Sequence, residues 1–199
     1  MKIEFNTYTL ETAIPVESYL KKRKPAKFFN RETAAAVVCV GRLLKGETLN
    51  TDTSFYYAKG QVEYQDFGLE QIAAASRDDS GRFCRERFVT KAIAGISPLT
   101  QFKILYNMPL SFVAIEHHLT GDNAVIYASG SGLITQARHA PPGFPVLLGA
   151  GRVFPDGTVE SGFALAEKEE FQNAPLPSSY VEAIDIFSYW LTLYGGNVK

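Results

Sequence analysis

Cysteine is scarce in this chain, with only Cys39 and Cys84 among 199 residues. They form no CxxC pair and no cysteine or histidine set at metal-ligand spacing, which excludes a disulfide framework and a zinc module. Both are expected to be reduced thiols, Cys39 packed in a core helix, and neither a metal nor a cofactor is expected. Charge of one sign is also lacking. Net charge is -1 and the sequence pI about 6.3, so no global field gathers a polyanion, and nucleic-acid binding is not expected. No apolar run approaches the roughly 20 residues that cross a bilayer. The N-terminus, Met1 to Tyr8, alternates apolar and polar residues like a strand rather than a signal peptide. A cytoplasmic location is expected. What is present is a large apolar fraction, 46% hydrophobic and 13% aromatic, enough for one compact domain over residues 1–199 with a sizeable core.

Along the chain, Lys21-Lys22-Arg23-Lys24-Pro25-Ala26-Lys27 forms a basic connection that proline interrupts. A buried helix is predicted next. Asn30 suits its N-cap, Ala34 to Val40 with Leu43 and Leu44 is apolar around the whole circumference, and Gly46 stops it. Thr53 to Ala58 reads as a strand and Leu69 to Ala75 as the start of a helix. Ser97-Pro98 opens a segment Leu99 to Met108, and Pro109 breaks it from a second helical segment, Leu110 to Leu119, ended by Gly121. Asn123 to Ala128 reads as a strand, Ser129 to Gly132 as a tight turn, and Leu133 to Arg138 as a short helix. Pro145 to Ala150 and Thr158 to Leu165 should pair as a hairpin through the turn Pro155-Asp156-Gly157. At the C-terminus, Ser179 to Glu182 has the pattern of a capping box. The helix it predicts is apolar beyond one face, which leaves open burial on two sides or contact with another subunit. The alternation of strands and helices indicates an α/β fold with a layered sheet. In such folds function concentrates where a strand's carboxyl end feeds a helix through a tight turn, here residues 128–132.

The residues around that turn resemble a known family. Phe88-Val89-Thr90-Lys91-Ala92, Ile96-Ser97-Pro98-Leu99-Thr100-Gln101-Phe102, Tyr106-Asn107-Met108-Pro109, Val113-Ala114-Ile115-Glu116 and Gly121 to Ile126 are similar to the block before the nucleophile elbow of β-ketoacyl synthases. The likeness is to the short N-terminal-like branch, which includes chain-length-factor-like subunits of aryl-polyene type clusters. It implies a thiolase-like layered half-fold with a mixed sheet and a buried central helix, in a truncated domain. The family's cysteine nucleophile falls at Ser129 or, with a different gap, at Gly130, and neither is cysteine. The histidines that the family takes from a C-terminal half have no counterpart here. The resemblance therefore implies a non-catalytic subunit supporting polyketide or fatty-acid-type chain elongation. Its partner would be a second copy of itself or a complete ketosynthase, met through the strand near Asn123 to Ala128, with an acyl carrier protein a further candidate.

The competing reading is a minimal acyltransferase or thioesterase-like enzyme with Ser129 as nucleophile, placed near helix-terminal N–H groups. A serine hydroxyl needs an adjacent base, and the hydrolase pattern G-x-S-x-G is absent around both Ser129 and Ser131. A phosphopantetheine or acyl contact near Ser129, Gly130 and Ser131 is the corresponding binding candidate, although Gly130 and Gly132 lack the spacing of a phosphate loop. A free-standing binding module is a third reading. His117 and His118, adjacent on a helix, point about 100° apart and cannot share a metal by helical i, i+4 geometry; they read as a helix end, and His139 reads as a loop residue. Lys21, Lys22, Arg23 and Lys24 are the candidate contacts for an acidic carrier protein, against a merely solvated loop. Asn107 is expected to be buried and to tie paired helices to the turn.

Overall fold

The structure is a computed structural model that describes residues 1–22, 24–59, 69–95, 105–177 and 181–194. In chain order the elements are β1 (Lys2–Tyr8), α1 (Arg31–Leu44), β2 (Ser54–Lys59), α2 (Leu69–Ala75), and α3 (Arg85–Arg87, continuing as a π-helical turn Phe88–Ile93). Then follow α4 (Met108–His117), β3 (Asn123–Tyr127), α5 (Gly130–His139), β4 (Val146–Val153), β5 (Val159–Ala166), α6 (Lys168–Gln172) and α7 (Asp185–Tyr194). The chain separates into two compact units, Tyr64–Leu105 carrying α2 and α3, and the remainder, Met1–Glu63 with Tyr106–Lys199. In the smaller unit, Phe83 and Phe88 stack at 5.7 Å between ring centres, and Arg87 pairs with Asp79.

The larger unit holds one five-stranded mixed sheet in the order β1-β5-β4-β2-β3. β2 lies between β3 and β4, parallel to both, while β5 runs antiparallel to β4 and β1. Successive strand residues face opposite sides of a sheet, and the two sides bury different sets. Phe55, Tyr57, Leu147 and Phe163 face α1 and α4. Tyr56, Ala58, Leu148, Ala150 and Ala164 face α5 and α7, where Leu133, Ile134, Phe187 and Trp190 complete the layer. Among the described residues this order gives β3 a neighbouring strand on one side only.

Local chemistry sets the elements much as the sequence reading expected. Asn30 caps α1, its Oδ1 accepting the Thr33 N–H at 2.8 Å. Every residue from Glu32 to Val40 is buried, since the helix lies on the sheet and is covered by α4 and by the turn of 3-10 helix Val16–Tyr19. The β4–β5 hairpin closes through Asp156, whose carboxylate accepts the Thr158 N–H at 2.9 Å, and Gly157, which takes the left-handed conformation at φ 81°.

Several expectations need comment. The capping box from Ser179 to Glu182 falls partly outside the described residues; α7 starts at Asp185, and Glu182 is bridged to Ser129. Proline at 109 sits in the first turn of α4, where a missing N–H costs nothing; of the expected segment Leu99 to Met108, residues 99–104 lie outside the described residues and 105–107 are not helical. That helix is stopped by His118, in the left-handed conformation at φ 56°, rather than by Gly121; the missing side chain there makes room for the backbone of Asp52 and Thr53. Asn107 is exposed, not buried, and its backbone carbonyl accepts the Ser111 N–H at 2.8 Å.

Candidate functional site

β3 ends at the carboxyl edge of the sheet and passes directly into α5, so the turn at Ser129 stands where the sequence placed it. Ser129 is the N-cap: its Oγ accepts the Gly132 N–H at 3.3 Å and lies 2.9 Å from the Ser131 Oγ, and its carbonyl accepts the Leu133 N–H at 3.0 Å. A hydroxyl engaged as a cap is stabilising for the helix, worth roughly 1 kcal/mol. It is not thereby activated.

The residues just before α7 lie across the turn. Ser129 and Glu182 form an antiparallel bridge, and the Gly130 N–H donates to the Val181 carbonyl at 3.2 Å. A β-carbon built at position 130 would overlap Ile186 Cγ2 and lie 3.4 Å from Val181 Cγ2. Two consequences follow. The Gly130 N–H, the first donor an oxyanion would meet at this helix end, is already bonded within the chain. The space that a nucleophile's side chain would enter at position 130 is filled by Ile186, itself fully buried.

No histidine comes near Ser129. His139 is not in a loop but closes the last turn of α5, about 15 Å along the axis at 1.5 Å per residue. His117 and His118 end α4, on the connection that leads into the amino end of β3, and Ser129 follows its carboxyl end, about 16 Å away along the strand. His117 is held down to about pH 4 by burial, with Lys21 and His118 adding to the effect, so it is neutral at physiological pH. Among the described residues no group of three or more His, Cys, Asp or Glu side chains could hold a metal ion.

Two charged clusters flank the carboxyl edge, one on each face of the sheet. On the α1 side, Glu32 is fully buried; its Oε1 accepts the Tyr57 hydroxyl at 2.9 Å and its Oε2 accepts Lys59 Nζ at 2.6 Å. Lys59 also lies over the Tyr106 ring at 5.1 Å. Burial and Glu32 together push the Tyr57 hydroxyl well above its ordinary range, so it stays a donor. On the α7 side, Arg152 donates to Glu160, Glu182 and Asp185 and stacks on Phe154 at 4.7 Å. Neither cluster was legible from motifs. The available signal is glycine inside a strand, which marks close approach: a β-carbon at Gly151 would strike the Tyr57 hydroxyl and Glu32 Oε1.

Of the basic run, Lys21 is tied down, its backbone N–H donating to Glu116 Oε1 and its Nζ to the Glu116 carbonyl, both at 2.7 Å. Lys22 is exposed. Arg23 and the Lys24 side chain lie outside the described residues. Cys39 is buried and donates weakly to backbone carbonyls, its thiol pushed well above the usual range by burial. Cys84 is half-buried and free.

Set beside solved structures, the chain is similar to one described as the ishigamide ketosynthase/chain length factor, with a TM-score of 0.51 and 16% identity. The fold is thiolase-like. The match covers 77% of this chain and 48% of the other, so this chain spans about half the length of that protein. No family model and no curated protein matches it. The described helices include none long and apolar enough to cross a membrane. Within this thiolase-like half-sheet, the turn that the sequence analysis singled out keeps its strand-to-helix geometry and is closed by the chain's own residues.

Glu32 depends on Lys59 for its countercharge, and a buried carboxylate that loses its partner costs about 3–5 kcal/mol. Urea unfolding of Lys59→Met should show a loss of that size. The double variant Glu32→Gln with Lys59→Met should lose less, because the stranded charge is gone.

Proposed function

We propose that this chain is a thiolase-like domain acting as a non-catalytic β-ketoacyl synthase-like subunit. In this reading it supports polyketide or fatty-acid-type chain elongation by standing beside a ketosynthase partner or a second copy of itself. The observation that carries it is the closed turn. Ser129 is spent as a cap, the Gly130 N–H is bonded to Val181, Ile186 fills the side-chain space at 130, and among the described residues no basic side chain is hydrogen-bonded to the Ser129 hydroxyl. General-base activation requires a hydrogen-bonded partner about 3 Å from the hydroxyl, and Ser131 supplies only another hydroxyl. The similarity to a ketosynthase/chain length factor supports the pathway class, and no observation favours the minimal acyltransferase over it.

The edge of β3 supports the partnership. Asn123-Ala124-Val125-Ile126-Tyr127 carries no charge, its outer edge has no neighbouring strand among the described residues, and Tyr127 at its end is 75% exposed. An uncharged, β-prone edge without proline is a template for pairing with another strand, and an exposed tyrosine is a common anchor of protein interfaces. Antiparallel pairing of two copies about Val125 sets no like charges against each other. A carrier-protein contact through Lys22 and its basic neighbours remains part of the proposal.

Two outcomes are expected. Purified protein incubated with acyl thioesters should show no covalent adduct by intact mass; an adduct that disappears in Ser129→Ala would establish the acyltransferase reading instead. Size exclusion with light scattering, on the chain alone and co-expressed with a complete ketosynthase, should reveal a complex that Val125→Lys disrupts while the monomer stays folded. A complex indifferent to that substitution, or none in either preparation, would contradict association through β3.

A further inference from the structure

We propose that Arg152 is a latch: it holds Val181 and Glu182 down on the Ser129 turn, and its loss opens that turn without unfolding the domain. The inference goes beyond the subunit role and stands on the geometry of the turn alone.

Arg152 lies near the end of β4. Its Nη1 donates to Glu182 Oε2 at 3.0 Å and its Nη2 to Asp185 Oδ1 at 3.0 Å, while Nε and Nη2 donate to Glu160 Oε2 at 3.2 and 2.7 Å. One guanidinium thus serves three carboxylates. Arginine suits this role because its planar fork donates in several fixed directions at once. The side chains are partly shielded, with exposures of 22% for Arg152, 18% for Glu160, 26% for Glu182 and 36% for Asp185, so the pairs are worth more than fully exposed ones.

Position 152 bears on the turn because of what the carboxylates carry. Glu182 is the residue bridged to Ser129, and its neighbour Val181 accepts the Gly130 N–H. These two residues belong to neither a helix nor a strand and are half-buried, whereas Ala183, Ile184 and Ile186 immediately after them are in the core. Core packing therefore anchors the segment from 183 onward. Residues 181–182 are held by the two contacts to the turn, by the ion pair to Arg152, by the Asp185 N–H donating to the Glu182 carbonyl at 3.1 Å, and by partial packing of Val181 on the core. Without the guanidinium, three carboxylates face one another, and their mutual repulsion favours lifting Glu182 away. The opening predicted is local, confined to 181–182 and the turn beneath.

The test places a thiol under the latch. In a Cys84→Ser background, Ser129→Cys reports local opening and the buried native Cys39 reports global unfolding, both read as alkylation rates by mass spectrometry. Adding Arg152→Gln should speed modification at position 129 by about tenfold to a hundredfold, the effect of losing a partly buried ion-pair network, with Cys39 unchanged. Exchange of the Gly130 amide should accelerate in parallel, and amides of α1 should not. Glu182→Gln, which keeps Arg152 and removes one tether, should give a smaller acceleration and carries the test if Arg152→Gln does not fold. Unchanged rates at 129 in both variants would overturn the proposal, as would equal acceleration at 129 and 39, which would make Arg152 a general stabiliser instead.

Discussion

The contact between Gly130 and Ile186 is the constraint on which the closed turn depends. Glycine at the first position of α5 lets Ile186 come close enough to occupy the volume that a side chain would need. That approach seats the start of α7 against the carboxyl edge of the sheet, brings Val181 onto the Gly130 N–H, and points Glu182 and Asp185 at Arg152. Protein interiors are packed to near-crystalline density, and adding even one carbon to a filled space costs about 1–3 kcal/mol. The turn and α7 thus specify each other: a nucleophile side chain at position 130 and the observed seating of α7 are mutually exclusive.

The same edge carries both of the charged clusters, and their placement follows from strand alternation. Lys59 is aimed at the α1 face, where Glu32 in the first turn of the helix awaits a cation. Arg152 is aimed at the other face, toward α7. Glu32 accepts from both Tyr57 and Lys59, and Arg152 donates to three carboxylates, as the cost of desolvation demands. In many open α/β sheets this edge is left as a ligand crevice. Here the arginine on β4 and the lysine on β2 instead meet carboxylates of the chain itself, which agrees with the proposed scaffold role rather than an acyl-transfer one.

Much of this was legible in the sequence where the signal is local. The unbroken apolar run from Ala34 to Val40 marked the buried helix, Pro155-Asp156-Gly157 marked the hairpin, and the sequence from Asn123 to Gly132 marked the strand, turn and helix. What escaped was set by contacts distant in sequence. Ser179 to Glu182 has the residue types of a capping box, but Glu182 is bridged to Ser129 and paired with Arg152, and the helix starts later, at Asp185. Asn107 was misplaced because burial depends on which face of an element is covered, and no pattern of one segment reveals that; His139 was misplaced because α5 runs one residue beyond Arg138. The closing of the turn depends on residues some 50 positions away from it, beyond the reach of any motif.

Thermal unfolding of Gly130→Ala, alone and combined with Ile186→Ala, tests the central claim most directly. If Ile186 fills the space at position 130, the single variant should lose about 1–3 kcal/mol, and the double variant should lose less than the sum of the two single variants, since each relieves the other. A Gly130→Ala variant as stable as the parent, or losses that simply add, would mean that the turn is open and that the account of its closure is wrong.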